Sequence, residues 1–293
     1  MGWLADVSRH AHVAAYDGRE QGLSSRNLGK DITLADFRCD LETVIEAVGF
    51  ERFVLVAYGG FGHVAVRYAV DNPERVHGLV LICTAESFAA YPWMAMLPLA
   101  EENWDLFLRL QTKDAPPALV EIVIHNFKTS ATPAEFTRMI RAFAASDVSD
   151  VLPRLQTPTL MIHSLRQHWL SPEEGVKTAA KIAGARIFFP EAGDTEPEPS
   201  QGARMIVDFL KELPAFESKS GAGSPRRLAV ALSARQRDVL RCIAEGKTTR
   251  EIAEELVLSE RTVERHIADV YAKIGARNRA EATALALGNF SDA

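Results

Sequence analysis

The stretch LVAYGGFGHVAVRYA, residues 55–69, decides the fold of the larger part of this chain. An apolar run that begins at Phe53 ends in the adjacent glycines Gly59 and Gly60, and a segment of helical pattern follows them. A run of apolar residues bounded by a turn is typical of a buried strand. We therefore expect a strand, a tight turn and a helix in direct succession.

Further apolar runs alternate with helical patterns along residues 1–213. One helix is well marked, because Thr33 and Asp36 can cap its start, an apolar stripe begins at Phe37, and Gly49 ends it. This alternation predicts a doubly wound, mostly parallel α/β sheet. The predicted buried strands are residues 13–17, 53–57, 77–84, 158–163 and 186–189.

Charge is distributed unevenly between the two ends of the chain. The net charge is −6, from 33 basic and 39 acidic residues. Residues 226–293 hold 12 of the basic and 10 of the acidic residues, so the acidic excess lies in the preceding body. The segment 217–227 is rich in Gly, Ser and Pro, which predicts a linker. We place a body at 1–213, a linker at 214–227 and a terminal domain at 228–293.

Composition also restricts the cellular setting. The apolar fraction of 47% suffices for a globular core. No apolar run reaches the roughly 18 residues that a membrane helix needs, and the N-terminus lacks the basic and apolar regions of a signal peptide. Cys39, Cys83 and Cys242 lie far apart without metal-ligand spacing, which predicts reduced, buried thiols and no metal site. Together these features predict a cytoplasmic protein.

Several segments of the body occur in the order typical of one enzyme family. They are YDGREQGLSSR (16–26), the turn at 57–61, AVDNPERVHGLVLI (69–82), TPTLMIHSLRQHWLSPEEG (157–175) and ARIFFPEAGD (185–194). On these motifs the body resembles the α/β-hydrolase family. The turn at 57–61 corresponds to the nucleophile elbow, which lifts a catalytic serine above the sheet.

The resemblance assigns the catalytic triad to positions that lack its side chains. The nucleophile position is Gly59, the acid position is Gln167, and the histidine position is Asp194 or Thr195. Loss of the nucleophile alone lowers the rate on the order of a million-fold. We therefore expect an inactive hydrolase-like domain without catalytic residues or a cofactor. No pair among the possible replacements has the spacing of a nucleophile and its base; these residues are Ser24, Tyr58, His63, Cys83, His163 and His168.

The family also has three strands before the segment that 13–17 resembles, and an oxyanion-hole turn after the third of them. Neither has a counterpart before residue 13 of this sequence. A strand at 13–17 would then pair directly with 53–57, or a gap would have to be filled. Two alternatives are open at this point, a truncated start and a rearranged sheet.

Residues 88 to about 150 occupy the place of the helical lid that covers the pocket in the family. Prolines divide this segment into short helices. Its aromatic and Met side chains serve either as core or as the wall of a pocket for a small apolar ligand. The candidate pocket residues are Tyr58, Gly59, Gly60, Trp93, Met96, Trp104 and His163.

The terminal domain shows the pattern of four short capped helices. Capping boxes open three of them, at Ser233–Gln236, Thr248–Glu251 and Asn278–Glu281. Ser259 is suited to cap the third helix, and Gly246 and Gly275 stand where the first and third helices should end. The third helix carries one buried stripe, at Val263, Ile267, Val270 and Ile274. The second and third helices, joined by a short turn, match the helix-turn-helix plan.

The elements LSARQRDVLRCIAEG, TTREIAEEL, LSERTVERHI and KIGARNRAEA closely resemble the LuxR-type DNA-binding domain. The resemblance implies that the third helix lies in the major groove of an operator. The positions that match base-reading residues are Glu264, Arg265 and Ala268. The positions that match phosphate-binding residues are Thr248, Thr249, Arg250, Arg261, Thr262, His266 and Lys273. The family dimerises through its fourth helix, which here offers Ala282, Leu285 and Leu287.

These features together suggest a one-component transcription factor that binds double-stranded DNA as a homodimer. An inactive hydrolase-like domain would sense a small ligand or a partner, and RNA polymerase would be a further partner if the protein activates genes. Two alternatives are a residual hydrolase tethered to DNA and a hydrolase-like domain that serves only for dimerisation.

Overall fold

The structure is a computed structural model, which describes residues 2–26, 28–29, 31–113, 117–163, 170–190, 199–214, 232–274, 276, 279 and 282–283. The chain falls into two compact units, one of residues 1–13, 26–39 and 51–216 and one of residues 14–25, 40–50 and 217–293. The domain boundaries expected from the sequence stay predictions.

In the described residues the sheet has four parallel strands in the order β1-β2-β3-β4, which confirms the predicted fold class. The strands are β1 (Phe53–Tyr58), β2 (Val76–Ile82), β3 (Thr159–Ile162) and β4 (Arg186–Phe188). The helices of the body are α1 (Gly2–Ser8), α2 (Leu34–Val48), α3 (Phe61–Asp71), α4 (Leu97–Glu102), α5 (Trp104–Gln111), α6 (Pro117–Ser130), α7 (Pro133–Ala144), α8 (Pro172–Ala179) and α9 (Pro199–Glu212). The last three helices are α10 (Ala234–Ala244), α11 (Thr249–Leu256) and α12 (Glu260–Ile274).

The core of the body is divided by the sheet. On one face Val80 of β2 and Ile162 of β3 pack against α9, through residues such as Ile206 and Phe209. Alternate residues of the same strands, such as Leu79 and Leu81 in β2, point to the opposite face and are also fully buried. Both faces are therefore covered, as in other parallel sheets.

The strand predicted at residues 13–17 does not form, so this prediction was wrong. The structure places the segment outside the sheet, with Val13 and Tyr16 half-buried and Ala14, Ala15 and Asp17 exposed. Local polar contacts bind its end instead, since the Asp17 carboxylate accepts from the Leu23 N–H (3.0 Å) and the Asp17 carbonyl accepts from the Ser24 hydroxyl (2.5 Å). These contacts favour a turn over a ladder of hydrogen bonds.

Several other local predictions are confirmed, and one is not. The Asp36 N–H donates to Thr33 Oγ1 (3.3 Å) at the start of α2, and Gly49, with a φ of +75°, ends this helix. Cys83 and Cys242 are buried as expected. Cys39 lies on the exposed face of α2, so the prediction that all three thiols are buried was wrong.

The lid consists of short helices, as the prolines predicted. Two 3-10 helices, Phe88–Ala90 and Pro92–Met96, lead into α4 to α7. Thr132 opens α7 with a complete capping box to Glu135. Glu135 also forms an ion pair with the Arg26 guanidinium (2.6 Å), and this pair joins the lid to the loop before α2.

The terminal domain, which contains α10, α11 and α12 and is called the helical domain from here on, has its own core. Val263 and Val270 of α12 are fully buried with Val239 of α10 and Ile252 of α11, and Ile267 and Ile274 pack beside them. The capping boxes at Ser233 and Thr248 are confirmed, and Thr262 N–H donates to Ser259 Oγ (3.2 Å) at the start of α12. The predicted capping pair Asn278–Glu281 and the stop at Gly275 lie outside the described residues.

Within the part of the chain that the structure describes, no helix combines the length and the hydropathy needed to cross a lipid bilayer.

Val257, in the turn between α11 and α12, adopts a left-handed backbone conformation with a φ of +53° while its side chain is 88% exposed. This conformation costs a residue with a Cβ about 1 to 2 kcal/mol, and the exposed side chain gains little from packing. We predict that Val257→Gly stabilises the helical domain by roughly 0.5 to 1 kcal/mol, after allowing for the greater freedom of glycine in the unfolded chain.

Chemical denaturation of the full chain, followed by the α-helical circular dichroism signal at 222 nm, would measure this difference in the free energy of unfolding. Val257→Ala retains the Cβ and therefore serves as the control, with little change expected. A lower midpoint for Val257→Gly than for the wild type would contradict the prediction.

Candidate functional sites

The turn after β1 has the backbone geometry of a nucleophile elbow. Gly59 follows the strand directly, its N–H donates to the Ile82 carbonyl (2.9 Å), and its φ is +54°. No described atom lies within 4 Å of a Cβ built at this position. The elbow therefore has the backbone conformation and the space for a nucleophile, but glycine supplies no side chain.

The two glycines that follow allow close packing around the elbow. A Cβ at Gly60 would lie 2.7 Å from the Phe143 ring and 2.9 Å from the Phe88 ring. A Cβ at Gly62 would lie 2.3 Å from Thr84 Oγ1. Aromatic side chains of the lid thus contact the elbow directly, and α3 packs closely against the end of β2.

We name the aromatic side chains above the elbow the lid cluster. Its members are Phe88, Tyr91, Trp93, Trp104, Phe107, Phe136 and Phe143. Trp104 stacks on Phe107 at 5.5 Å between ring centroids, and Trp93 contacts the same ring at 6.4 Å. These two predicted pocket residues therefore share a layer of packed rings that continues to the elbow.

The structure does not bring all the predicted pocket residues to this cluster. Met96 is half-buried at the end of its 3-10 helix. Tyr58 packs against the sheet face that α9 covers. His163, fully buried at the end of β3, lies beside Gly175 and contacts the Phe189 ring at 6.1 Å.

A hydroxyl and an imidazole that the sequence did not connect form a close pair. His63 Nε2 lies 2.8 Å from the Ala85 carbonyl, which can only accept, so Nε2 carries the proton and Nδ1 accepts from the Ser146 hydroxyl (2.6 Å). Burial lowers the pKa of His63. The two side chains are 83 residues apart in the chain, so no spacing could reveal the pair. His63 is fully buried and Ser146 is 4% exposed, which shields the pair from a substrate in this conformation.

The other described side chains that could replace a missing triad residue are held in local structural contacts. Ser24 donates to a backbone carbonyl, as described above, and Cys83 is buried at the end of β2 with a φ of +48°. Gln167, His168, Asp194 and Thr195 lie outside the described residues. Gly59 is thus the one assigned triad position that the structure describes.

The helical domain presents one polar face of α12. Glu264, Arg265 and Ala268 are exposed, and Arg261 lies one turn before them. Val263 and Val270, on the opposite side, are buried in the domain core. The side chains that the resemblance assigns to base reading therefore project away from the domain, on a helix held by α10 and α11.

Most of the predicted phosphate-binding residues lie at the ends of α11 and α12, and several also serve the domain itself. Thr248 Oγ1 accepts from the Glu251 N–H (3.2 Å) as the cap of α11. Arg250 pairs with Glu254 (3.0 Å) on the surface of α11. Thr249 is half-buried at the first position of this helix.

The remaining three phosphate-binding candidates belong to α12. The Thr262 hydroxyl shares a hydrogen bond with Ser259 (2.8 Å), and Lys273 Nζ donates to Gln236 Oε1 (2.8 Å). His266 is half-buried, and its Nδ1 has no hydrogen-bond partner within the described residues. Lys273 is therefore committed in part to the contact between α12 and α10.

Of the predicted dimerisation residues, the structure describes one. Ala282 is fully buried in the core of the helical domain, so it is not part of an exposed face. Leu285 and Leu287 lie outside the described residues. The dimer contact of the fourth helix stays a prediction.

Cys242, Glu245 and Glu255 bring their ligand atoms within 4.8 Å of one another, which makes them a candidate cation site. Lys247 already neutralises the two carboxylates, since its ammonium contacts Glu245 and lies 2.5 Å from Glu255. Burial, followed by the charge of Glu255, raises the pKa of Cys242, so the thiol is a poor ligand here. The two exposed carboxylates and Lys247 thus form an ion network beside the buried thiol.

Comparison with known proteins identifies both parts of the chain. Residues 230–286 match the family model of bacterial regulatory proteins of the luxR family, and residues 1–117 match that of the alpha/beta hydrolase fold. The spore germination protein GerE of Bacillus subtilis is 43% identical over 51 residues, which cover 17% of this chain and 69% of that protein.

The body has relatives among hydrolases. The putative carbamate hydrolase RutD of Pseudomonas savastanoi pv. phaseolicola is 25% identical over 234 residues, which cover 71% of this chain and 86% of that protein. The crystal structure of the enol-lactonase from Burkholderia xenovorans LB400 is similar with a TM-score of 0.62 at 20% identity, and covers 72% of this chain and 85% of its own.

The ion pair between Arg26 and Glu135 makes the lid sensitive to acid. The guanidinium, together with hydrogen bonds from Thr132, lowers the pKa of Glu135 from 4.5 to about 2, and its side chain is only 5% exposed. The stability from this shift is present above pH 4.5 and is lost as the pH falls towards 2. We predict that Glu135→Gln costs roughly 2 to 3 kcal/mol at neutral pH, and that this cost shrinks as the pH falls below 4.5.

Urea unfolding at pH 7 and pH 3, followed by tryptophan fluorescence, would measure the difference, because Trp104 lies next to α7. Glu101→Gln is the matched control, since Glu101 pairs with Arg141 on the exposed surface and contributes little. An equal cost of Glu135→Gln at both pH values would contradict the prediction.

Proposed function

Since the chain belongs to the luxR family of bacterial regulatory proteins, we propose that it is a one-component transcription factor whose hydrolase-like body senses a ligand or partner. The body does not hydrolyse its ligand in this proposal. Two copies bind an operator through their helical domains in the cytoplasm. RNA polymerase is the further partner if bound protein activates genes.

The observation that carries the DNA-binding part is the exposed face of α12. Arg265 can donate two parallel hydrogen bonds to guanine, and Glu264 can accept from the cytosine amino group. Arg261, on the same face, is suited to a phosphate. The domain has a net charge of only +2 over residues 226–293, so two domains are needed to gather enough phosphate contacts.

The observation that supports sensing is an elbow with suitable backbone geometry and no nucleophile. The fold brings an aromatic lid onto this elbow, where small apolar molecules could replace ring contacts after a local opening of the lid. The class of ligand that suits these surroundings is small, apolar and flat enough to lie among aromatic rings.

Coupling to the helical domain would pass through the end of α9. There the His77 Nε2–H donates to the Pro214 carbonyl (2.8 Å), and Arg52 donates to His77 Nδ1 (2.9 Å). Leu213 packs closely against Gly78 of β2, since a Cβ at residue 78 would lie only 2.9 Å from the Leu213 side chain. A ligand that changes the position of α9 would therefore change the point at which the linker leaves the body.

A second candidate function is residual hydrolysis, which the similarity to RutD and the Ser146–His63 pair favour. In that case Ser146 would act as nucleophile and His63 as base once the lid opened. This reaction needs no residue at the vacant elbow position.

The test of DNA binding compares Arg265→Ala with the wild type on fluorescent fragments of the upstream region of its own gene. We predict that the variant loses about 1 to 3 kcal/mol of binding free energy on the fragment that the wild type binds most tightly, because a bidentate contact to one base is lost. The variant should also lose the preference of the wild type for that fragment over the others. Fluorescence anisotropy at two salt concentrations measures both effects.

Arg154→Ala is the matched control, because it removes the same charge from an exposed position of the body. Arg261→Ala should weaken all sequences alike and reduce the salt dependence by about one phosphate contact. Selective binding that survives unchanged in Arg265→Ala would contradict the assignment of the reading face.

The test of inactivity restores the missing hydroxyl with Gly59→Ser. We predict that neither the wild type nor this variant hydrolyses p-nitrophenyl esters above the buffer rate, because an isolated serine lacks the base that takes its proton. The positive φ makes the variant slightly less stable, so its fold is checked by circular dichroism.

Ester turnover by the wild type would contradict inactivity. Ser146→Ala would then identify its source, since loss of turnover in that variant would establish the Ser146–His63 pair as the nucleophile and base.

A further inference from the structure

The body has a cavity at the amino ends of its strands, on the side of the sheet opposite the elbow. The strands are parallel, and the elbow follows the carboxyl end of β1, so the six residues of this strand separate the two places by roughly 20 Å. The cavity has a volume of about 260 Å³ and is lined by Arg52, Pro73, Val76, His77, Pro158 and Pro214. Ligands of open α/β sheets usually bind at the carboxyl ends of the strands, so the fold class does not account for this cavity.

His77 holds two parts of the cavity wall together. It is only 8% exposed, and its Nε2–H donates to the Pro214 carbonyl (2.8 Å). The Arg52 guanidinium, which can only donate, directs an Nη2 proton to Nδ1 of the same ring (2.9 Å). A buried imidazole therefore positions a guanidinium and a backbone carbonyl on its two sides.

The wall opposite the guanidinium is apolar and closely packed. Gly78 follows His77 in β2, and a Cβ at residue 78 would lie 2.9 Å from the Leu213 side chain and 3.1 Å from the Phe209 ring. Glycine at this position lets the chain after α9 approach the strand and bring Pro214 to the cavity. The three prolines of the lining have fixed rings and no N–H, so they offer a rigid apolar surface.

These properties define the class of molecule that the cavity suits. Arg52 is exposed, so its positive charge is accessible from solvent. A guanidinium presents N–H donors in one plane that match the two oxygens of a carboxylate. Nη2 carries two protons, so the guanidinium can bind a carboxylate while one proton stays on His77. The prolines and Val76 then contact an apolar group without offering it a side-chain hydrogen bond.

We propose that this cavity is a second ligand site, specific for a small organic acid in its carboxylate form. The carboxylate binds Arg52, and the apolar part of the ligand lies against Pro158 and Pro214. The volume of about 260 Å³ is just below the range of about 300 to 1,000 Å³ that suits drug-sized ligands. The ligand is therefore about the size of one substituted ring.

Binding at this site favours one position of the chain after α9. Pro214 forms part of the wall, so the complete cavity exists only while its carbonyl is bound to His77. A ligand that contacts this wall shifts the population towards that state. Because Pro214 begins the predicted linker, the use of the site for sensing rests on the proposed function, whereas the binding of a carboxylate does not.

Benzoate is the probe for this site, in a titration of the full chain labelled with 15N-valine. The Val76 amide, at the cavity, should shift saturably with a Kd on the order of 1 mM. Val64, in the helix after the elbow, and Val80, inside the sheet, should not shift. Benzamide has the same ring without the charge, and acetate has the charge without the ring, so both should bind at least about tenfold more weakly.

Arg52→Gln removes the cation and keeps a polar side chain at an exposed position, so we expect a folded protein. Its affinity for benzoate should fall on the order of 10- to 100-fold. Arg154→Gln is the matched control, because it removes the same charge from another exposed position of the body. An absent Val76 shift, a shift of Val64 in its place, equal binding of benzamide, or unchanged affinity of Arg52→Gln would each overturn the site.

Hydrogen exchange measures the effect on the chain after α9. The Leu213 N–H donates to the Phe209 carbonyl (3.2 Å), so saturating benzoate should slow its exchange in the wild type labelled with 15N-leucine. The same concentration of benzoate should have no effect on this amide in Arg52→Gln. Unchanged Leu213 exchange at a saturated Val76 shift would overturn the effect on the chain exit.

This proposal and the proposed function fail separately. Arg265→Ala should bind benzoate with the affinity of the wild type, because the carboxylate site lies in the body. Absence of selective DNA binding by the wild type, with an intact Val76 shift, would overturn the proposed function and leave the carboxylate site standing. Selective DNA binding without a Val76 shift would overturn the carboxylate site alone.

Discussion

The close approach of α3 to the end of β2 is the constraint on which the body depends. This approach is possible because residue 62 is glycine, since a Cβ at this position would lie only 2.3 Å from Thr84 Oγ1. It also requires Gly59, which adopts a φ of +54° between the strand and the helix. Any side chain at Gly62 would push the helix from the sheet. The same turn sets where β1 ends, and so where its backbone groups and the elbow lie.

The packing above this turn bears on what the elbow can do. Phe88 and Phe143 lie so close to Gly60 that a methyl group there would overlap both rings. Ring contacts then continue from Phe88 through Trp93 and Phe107 to Trp104. A cluster of this kind stabilises the lid, and in the proposed sensing function a ligand would have to compete with those ring contacts. Such competition would link ligand affinity to the stability of the lid, which Arg26 and Glu135 also influence.

The helical domain depends on polar contacts that reach across its helices. Lys247, at the end of α10, binds two carboxylates, and its carbonyl accepts from the Arg279 guanidinium. Arg235 donates to the Leu256 carbonyl at the end of α11. These contacts join α10, α11 and the segment after α12, so the exposed face of α12 is held in a defined orientation by charges that lie away from that face.

The sequence by itself determined the elements whose signals are local, such as the helix capped at Thr248 by Glu251, the end of α2 at Gly49 and the exposed face around Arg265. Their partners lie within a few residues, so spacing alone specifies them. Tertiary structure decided the features whose partners are distant, including the exclusion of residues 13–17 from the sheet and the Ser146–His63 pair. An apolar run states only that a segment can be a strand, and whether it becomes one depends on a neighbour elsewhere in the chain with free backbone groups in register.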